Sequence, residues 1–349
     1  MIEKTLIEQI ETLTRECELG EAVVAIESVS GGFMHRMFKV VTDRGIYAVK
    51  HLNSEIMKRP DAQANYARAE KIEESLEKSD IPIVPALVFH GKKMQNIDGQ
   101  FFYVFRWQQG QITDWNHISM EQCYQAGNIL GRMHAIEPRN VEPQTPQPSH
   151  IDWKGYIRKA REQDSEIASL LEENEEQLVS VERELNRARA LLPGIECLSD
   201  GDMDPKNVMW DNGTPRVIDL ECLDYGNPVS HTMELALQWA GIVTGELDMD
   251  RMVSFFDGYL EAYDNGFRRY ADIAGVAYSF VEWLEYNIQR ALGSCVDQAE
   301  RELGISEVRN TVKRIQYLQE IEPRIKAALN TRLRKTGSQL VNLSQDLTH

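Results

Sequence analysis

The stretch CLSDGDMDPKNVMWDNGTPRVIDLECLDYGNP, residues 197–228, holds two acidic groups around one predicted hairpin. D-G-D-M-D precedes the hairpin and I-D-L-E follows it. Asp211-Asn212-Gly213 separates V-M-W from P-R-V-I-D-L, and an Asn-Gly pair between apolar runs favours a tight hairpin turn. So many carboxylates around one turn are typical of a solvated surface, a calcium loop, or a site for magnesium and a phosphoryl group.

The spacing within this stretch favours the third interpretation. Asp202 and Asn207 form D-x-x-x-x-N, and Asp219 follows at the end of the second strand. Phosphoryl transfer requires a carboxylate that orients the attacking hydroxyl, together with metal ions that neutralise the phosphates. Magnesium prefers oxygen ligands, so Asp202 could face the nucleophile while Asn207 and Asp219 hold the metal. An EF-hand loop is excluded because its glycine and distal glutamate are missing.

Length and composition narrow the class of protein. A chain of 349 residues suggests two lobes or domains. With 38 basic and 55 acidic residues the net charge is −17, which disfavours nucleic acid and anionic membranes and slightly favours a cationic partner. The five cysteines form no C-x-x-C pair, so neither a zinc site nor a disulfide framework is expected. Without a signal-peptide core or a membrane-spanning run, we expect a cytoplasmic monomer or homodimer.

Periodicity and turn residues predict an N-terminal lobe, residues 1–108, that is mainly antiparallel sheet. A helix over residues 2–17 precedes three antiparallel strands within residues 22–50, and a helix opened by Pro60 runs to about Asp80. V-P-A-L-V-F-H and G-Q-F-F-Y-V-F-R-W predict two more strands, followed by a hinge near residues 105–110.

The rest of the chain predicts helices, which gives an α+β fold with a mainly helical C-terminal lobe over residues 109–331. The segment 332–349 predicts a poorly ordered tail. The predicted helices cover residues 120–135, two segments within 153–192, then 233–243, 249–263, 273–292 and 307–329.

Three weaker motifs lie in the N-terminal lobe. Gly31-Gly32 between two strands allows close approach of a phosphate, although such a pair is more often simply a turn. Lys50, closing Y-A-V-K, could hold phosphate oxygens or merely keep a sheet edge soluble. Glu70 borders the apolar stripe of its helix and could pair with Lys50, whereas Glu73 and Glu74 are expected to be solvated.

Taken in order, these motifs resemble the aminoglycoside phosphotransferase and choline kinase-like family. D-G-D-M-D-P-K-N followed by V-I-D-L-E is similar to the family's H-G-D-L-H-P-G-N and I-D-F or I-D-W. S-G-G-F-M-H-R-M-F-K-V resembles its nucleotide loop, Y-A-V-K its phosphate lysine, and G-N-I-L-G-R-M-H-A its L-G-x-x-L-H helix. The resemblance spans residues 22–290.

The resemblance implies a bilobal protein-kinase-like fold and ATP- and Mg²⁺-dependent phosphoryl transfer to a hydroxyl, with GTP as an alternative donor. Asp202 would be the catalytic base, and Asn207 and Asp219 would bind magnesium. Lys50 would contact the α- and β-phosphates with Glu70 as its partner. The resemblance implies that the nucleotide-binding residues are Gly31, Gly32, Lys50, Glu70, Phe105 and Trp107.

The chain departs from the family and from protein kinases at two positions of the loop. Asp200 stands where the family often has histidine, and its carboxylate could accept backbone N–H bonds instead. Gly201 stands where protein kinases have arginine, and no A-P-E triplet follows Asp219. The arginine of protein kinases responds to a phosphorylated activation loop, so its absence here favours a constitutive small-molecule kinase over a protein kinase.

The acceptor is the least specified part of the prediction. Aminoglycosides, choline or ethanolamine, and sugars or amino-alcohols are all candidates, and Asp224 and Glu282 could meet a cationic group. Glu221 is left open between core and substrate. His134 is expected to be a packed structural histidine, and three helical aromatics are expected in the core, Trp239, Trp283 and Tyr286. The alternative function is a catalytically inactive kinase-like module that binds nucleotide.

Overall fold

The computed structural model describes residues 2–29, 35–141, 148–264, 270–295 and 297–345. The chain divides into two compact units. The first unit combines Met1–Thr113 with Lys206–Asp224, and the second combines Asp114–Pro205 with Tyr225–His349. The hairpin segment predicted to carry Asn207 and Asp219 therefore folds with the N-terminal residues, although the sequence assigns it to the lobe that begins at residue 109.

The described residues form short strands and longer helices. The strands are β1 (Val23–Val29), β2 (Arg36–Thr42), β3 (Ile46–His51), β4 (Gln95–Ile97), β5 (Gln100–Arg106), β6 (Gln111–Ile112), β7 (Arg139–Asn140), β8 (Ile195–Asp200), β9 (Val208–Asp211), β10 (Thr214–Val217) and β11 (Leu223–Gly226). The helices are α1 (Lys4–Glu16), α2 (Ser54–Met57), α3 (Ala62–Lys78), α4 (Met120–Ile136), α5 (Trp153–Glu162), α6 (Ala168–Glu173), α7 (Glu175–Arg189), α8 (Pro228–Trp239), α9 (Met249–Ala262), α10 (Phe280–Ala291) and α11 (Gln298–Gln345). Shorter 3-10 helices cover Trp115–His117, Pro205–Asn207, Leu220–Cys222, Ile242–Thr244 and Tyr270–Ser279.

An antiparallel sheet in the order β1-β2-β3-β5-β4 forms the core of the first unit. The three predicted strands within residues 22–50 are confirmed as β1, β2 and β3. Helix α1 has apolar residues at helical spacing, and Leu6, Ile10 and Leu13 are buried in one cluster with Phe38 and Val104 of the sheet. Burial of this stripe, about 1.5–3 kcal/mol for each large apolar side chain, is what stabilises α1 against the sheet.

The strand predicted from V-P-A-L-V-F-H is wrong. The segment contributes single contacts, such as Leu87 N–H donating to the carbonyl of Val104 at 2.8 Å, but no regular ladder. Pro82 and Pro85 have no N–H to donate, so the segment cannot pair along its length with a neighbouring strand.

The hairpin predicted around Asn212-Gly213 is confirmed. Strands β9 and β10 pair antiparallel, with Thr214 opposite Asp211. Asn212 and Gly213 both have positive φ, 48° and 82°, as a two-residue type I′ turn requires. The hairpin joins the first unit through β6, which pairs with β9, and through Val217, whose N–H donates to the Pro82 carbonyl at 2.8 Å.

The second unit is mainly helical, as the sequence predicts. Helix α4 begins with a capping box, in which Ser119 and Gln122 satisfy each other's backbone N–H groups. Helix α4 packs on α9 with almost no side chain between the backbones, since a Cβ on Gly258 would lie 1.9 Å from the carbonyl oxygen of Tyr124. Among the described residues, no helix combines the length and apolar character needed to cross a bilayer.

Several helix boundaries in the second unit differ from the predictions. Residues 153–192 form three helices rather than two. Helix α8 begins at Pro228 rather than Met233, because Asn227 caps it by accepting from the N–H of Val229 and proline fits the first helical position. Residues 273–279 of the predicted helix 273–292 belong to a 3-10 helix, and the α-helix begins at Phe280. Helix α11 extends to Gln345 where the sequence predicts a poorly ordered tail, and residues 346–349 lie outside the described chain.

Candidate active site

Lys50 lies at the centre of the candidate site in the first unit. It stands near the end of β3, opposite Tyr103 of β5, and only 5% of its surface is exposed. Its Nζ lies 2.7 Å from Asp219 Oδ1 and 2.7 Å from Glu221 Oε1. A buried ammonium requires such partners, because an uncompensated charge in the interior is strongly unfavourable.

The charges around Lys50 decide its protonation state. Burial acts to lower the pKa of Lys50, but the negative charges of Asp219 and Glu221 outweigh burial and raise the pKa above its ordinary value. Lys50 is therefore a fixed cation at neutral pH, which is the form that binds phosphate oxygens.

Asp219 occupies a sharp turn between β10 and the 3-10 helix Leu220–Cys222. Its backbone is left-handed, with φ 62° and ψ 59°, a conformation that aspartate tolerates better than most residues. Asn207 is close by along the hairpin, because its carbonyl accepts the N–H of Ile218 at 2.9 Å. The sequence prediction that Asn207 and Asp219 lie near each other therefore has a direct structural basis.

Glu221 also belongs to this cluster, although the sequence leaves its role open between core and substrate. His35 Nε2 lies 3.0 Å from its Oε2, and Tyr66 OH lies 3.5 Å from the same oxygen. Burial acts to raise the pKa of Glu221, but the His35 hydrogen bond and the Lys50 charge outweigh it and lower the pKa below its ordinary value. Its place two residues after Asp219, in I-D-L-E, is the only sequence signal that could have pointed to it.

The pairing of Glu70 with Lys50 is not the one observed. Glu70 Oε1 accepts a hydrogen bond from Tyr103 OH at 2.7 Å, while the ammonium of Lys50 contacts the carboxylates of the hairpin segment. Burial and this hydrogen bond raise the pKa of Tyr103, so the phenol stays protonated as the donor. The prediction that Glu73 is solvated is wrong, since Glu73 is buried against Lys93 at 2.9 Å.

The remaining predicted nucleotide residues lie in different places. Gly31 and Gly32 lie outside the described residues. Phe105 is half-buried in β5 opposite Ala48, and the N–H of Trp107 donates to the Ile46 carbonyl at 3.1 Å. The backbone at the end of β5 is therefore tied to the start of β3, the strand that carries Lys50.

The second unit contains the acidic loop that follows β8. Asp200 is fully buried, and its Oδ1 accepts the backbone N–H of Asp202 at 3.0 Å, as the sequence predicts for an aspartate in place of histidine. Trp239 Nε1 donates to the carbonyl of Met203 at 2.9 Å, which anchors the same loop to α8. Asp202 is half-buried and Asp204 is buried. The loop backbone is therefore held on two sides of the proposed base.

His134 is a packed histidine, as predicted. It is completely buried in α4, with Nδ1 3.0 Å from Tyr259 OH and Nε2 3.2 Å from Ser199 Oγ. Burial lowers its pKa well below the ordinary value, and His231 adds to the effect. The imidazole is therefore neutral in the folded protein and links α4, α9 and β8.

The acidic residues suggested for the acceptor both contact arginines. Asp224 Oδ2 lies 2.8 Å from Arg68 in the first unit. In the second unit, both oxygens of Glu282 accept hydrogen bonds from Arg189, at 2.6 and 2.8 Å. A cationic acceptor at either carboxylate would have to compete with a guanidinium.

Two of the three aromatics expected in the core lie elsewhere. Trp239 is fully buried, whereas Trp283 and Tyr286 are 42% and 37% exposed. Trp283 and Tyr286 stack on each other with their ring centroids 5.5 Å apart. The prediction is confirmed for Trp239 and wrong for the other two, because both lie on the outer face of α10.

Solved structures of small-molecule kinases are similar to this chain at low sequence identity. The complex of spectinomycin phosphotransferase with ADP and spectinomycin has a TM-score of 0.65 and 15% identity, covering 91% of this chain and 99% of that chain. Amicoumacin kinase bound to AMP-PNP and Ca²⁺ has a TM-score of 0.60 and 11% identity, with 90% and 94% coverage. Plasmodium vivax ethanolamine kinase has a TM-score of 0.60 and 16% identity, with 89% and 90% coverage. The shared feature at this level of identity is the fold.

These similarities confirm the bilobal, protein-kinase-like α+β fold that the sequence predicts. The sequence pattern of the phosphotransferase enzyme family matches residues 25–273. No curated protein sequence matches the chain. The protein belongs to the phosphotransferase enzyme family and is a small-molecule kinase.

Proposed function

We propose that the protein transfers the γ-phosphoryl group of ATP to a hydroxyl group of a small molecule in a Mg²⁺-dependent reaction. The ion pair between the buried Lys50 and the partly exposed Asp219, 2.7 Å apart, carries the proposal. It links the two residues that the sequence selects independently, one for the phosphates and one for the metal. Structural neighbours bound to ADP and AMP-PNP support nucleotide as the phosphoryl donor.

The proposed roles follow from charge and position. Lys50 binds phosphate oxygens as a fixed cation, while Asp202 orients the acceptor hydroxyl. Asp202 accepts the hydroxyl proton as the acceptor oxygen bonds to the γ-phosphorus and the bond from that phosphorus to ADP breaks. Asp200 supports Asp202 by accepting its backbone N–H. In phosphoryl transfer of this kind, the protein contributes mainly the positions of the reactants and charge stabilisation rather than covalent chemistry.

Asn207 and Asp219 fit a magnesium site by their chemistry. Asn207 and Asp219 supply an amide and a carboxylate, both oxygen ligands that magnesium prefers, and their backbones lie close together because the Asn207 carbonyl accepts the N–H of Ile218. Among the described residues, no cluster of three His, Cys, Asp or Glu side chains is arranged around a metal position. Magnesium commonly keeps waters and phosphate oxygens as its other ligands, and when bound it neutralises phosphate charge.

The proposed acceptor is a cationic amino-sugar or amino-alcohol. The net charge of −17 supports a cationic molecule, and the structural neighbours include spectinomycin phosphotransferase and ethanolamine kinase. Asp224 and Glu282 stay proposed contacts, each in competition with its arginine. A screen of ADP release across aminoglycosides, amino-alcohols and sugars identifies the acceptor directly.

Replacement of Asp202 tests the mechanism. Asp202→Ala should lower kcat on the acceptor found by the screen at least about a hundredfold, because a general base contributes roughly 10²–10⁴-fold. Binding of Mg·ATP should remain within about threefold of wild type, since Asp202 is proposed to contact the acceptor. Asp211→Ala, a neighbouring exposed aspartate, is the matched control and should retain wild-type kcat.

The outcome separates the proposal from its alternative. Unchanged phosphoryl transfer by Asp202→Ala would show that another group is the base. Magnesium-dependent nucleotide binding without turnover of any acceptor by the wild-type protein would instead support a catalytically inactive kinase-like module.

A further inference from the structure

The carboxylates around Lys50 come from the hairpin segment and not from helix α3. Both partners, Asp219 and Glu221, lie within three residues of each other, and the Nζ is 2.7 Å from each. Glu70 of α3, the partner that the sequence predicts, is bonded to Tyr103. Two carboxylates therefore contact Lys50. One of them, Asp219, is also proposed as a metal ligand.

Glu221 is held in place independently of Lys50. The N–H of Asn53 donates to His35 Nδ1 at 3.0 Å, which makes that nitrogen the acceptor and leaves the proton of the neutral ring on Nε2. His35 Nε2, 3.0 Å from Glu221 Oε2, is then a hydrogen-bond donor to the carboxylate without any protonation of the ring. His35 thus fixes one oxygen of Glu221 while the other faces the ammonium of Lys50.

The other oxygen makes a contact of a different kind. Glu221 Oε1 is buried and lies 2.7 Å from Lys50 Nζ, close enough for an ion pair between the carboxylate and the ammonium. The attraction between these two opposite charges keeps the ammonium near Glu221. Such a contact suits a lysine whose N–H donors must also reach phosphate oxygens.

We propose that Glu221, oriented by His35, is the positioning residue that holds Lys50 for nucleotide, in the place that the sequence assigns to Glu70. The inference rests on the proposed function, because it takes Lys50 as the phosphate-binding lysine. If Asp219 held a metal ion instead of Lys50, Glu221 would be the carboxylate left beside the ammonium. Loss of Glu221 should therefore weaken nucleotide binding rather than the removal of the proton from the acceptor hydroxyl.

The test compares Glu221→Gln with Glu70→Gln and Glu74→Gln. The titration uses a fluorescent ATP analogue with and without Mg²⁺, and steady-state kinetics give KM for ATP and kcat. Glu221→Gln should raise the Kd and KM for nucleotide about tenfold or more, as expected for loss of a charged partner, with a smaller change in kcat. Glu221→Asp should recover part of the loss. Glu74→Gln, on the exposed face of α3, should behave as wild type.

A second measurement reports on Lys50 without nucleotide. Acetylation of Lys50 by a small amine-reactive reagent, followed by mass spectrometry, should be several-fold faster in Glu221→Gln than in wild type and unchanged in Glu74→Gln. Thermal unfolding of each variant shows whether the fold is retained.

The possible outcomes are distinct. Weaker nucleotide binding by Glu70→Gln together with wild-type binding and acetylation in Glu221→Gln would overturn the assignment of Glu221 and leave the proposed function intact. No nucleotide binding by the wild-type protein would overturn the proposed function and the role of Glu221 with it. Faster acetylation in Glu221→Gln with unchanged nucleotide affinity would show a contact without a positioning role and would also overturn the inference.

Discussion

At Asp200, a single side chain sets the backbone of the residue proposed as the base. Its Oδ1 accepts the N–H of Asp202, two residues ahead, in the short loop that aspartate forms readily. The aspartate therefore gives Asp202 a defined backbone position.

His134 makes the stability of the protein depend on pH. Burial holds its pKa well below the ordinary value, so the folded protein leaves it neutral while the unfolded chain takes up a proton below about pH 6.5. The unfolded state then binds more protons, and the free energy of unfolding should fall as pH decreases below about 6.5, by up to about 1.4 kcal/mol per pH unit.

Urea unfolding between pH 5 and pH 7 measures this effect. His134→Gln should show a shallower decrease than wild type, although its stability at pH 7 should be lower because the contacts with Tyr259 and Ser199 change. His117→Gln removes an exposed imidazole and is the matched control. Parallel pH curves for wild type and His134→Gln would contradict the assignment.

At the scale of elements, the contact between α4 and α9 depends on glycine. A Cβ on Gly258 would meet the Tyr124 carbonyl oxygen at 1.9 Å, and one on Gly127 would meet the Phe255 carbonyl oxygen at 2.0 Å. Alanine normally stabilises a helix interior by about 1 kcal/mol relative to glycine. Gly258→Ala should instead destabilise the protein by about 1–3 kcal/mol, because the two packed backbones must separate.

Chemical denaturation of Gly258→Ala tests the close packing. Gly201→Ala is the matched control, since no atom lies within 4 Å of a Cβ built there, and its free energy of unfolding should stay close to wild type. Wild-type stability of Gly258→Ala would mean that the two helices are not in such close contact.

The elements predicted well from sequence are those whose signals are local. Asn212-Gly213 predicts its own turn, and the alternating strands before Lys50 predict the sheet. The segment V-P-A-L-V-F-H misled the strand prediction, since its apolar run resembles a strand while Pro85 lacks an N–H for a regular ladder. Asn227 and Pro228 together fix the start of α8, a signal that periodicity alone does not show.

The sequence selects residues for the candidate site, but it does not identify the partner of Lys50. Lys50, Asn207 and Asp219 stand out by residue type and spacing. The partner of Lys50 does not, because Lys50 and Asp219 are 169 residues apart and several glutamates have suitable spacing. Which carboxylate contacts the ammonium depends on how α3 packs on the sheet. In the folded protein, the Glu70 carboxylate accepts a hydrogen bond from Tyr103.

At the scale of the whole molecule, the first unit is assembled from two distant parts of the chain. Strand β9 pairs with β6, and Val217 exchanges backbone hydrogen bonds with Pro82 and Val84. A fragment of residues 1–113 should therefore be unstable, whereas the same fragment joined by a flexible linker to residues 206–224 should fold better.

Circular dichroism and amide NMR spectra of the two fragments measure this difference. A linked fragment with a scrambled copy of residues 206–224 is the control and should resemble residues 1–113 alone. Equal dispersion of the amide signals in all three fragments would show that the hairpin segment is dispensable for folding of the first unit.

The divided first unit also limits how new specificities can be engineered. To exchange the whole second unit for that of another kinase, a chimera would need junctions after Thr113, Pro205 and Asp224. A single crossover would leave Asn207 and Asp219 from one parent facing the β-strands of the other. Recombination libraries that respect all three junctions should therefore yield folded hybrids far more often than libraries built from one crossover.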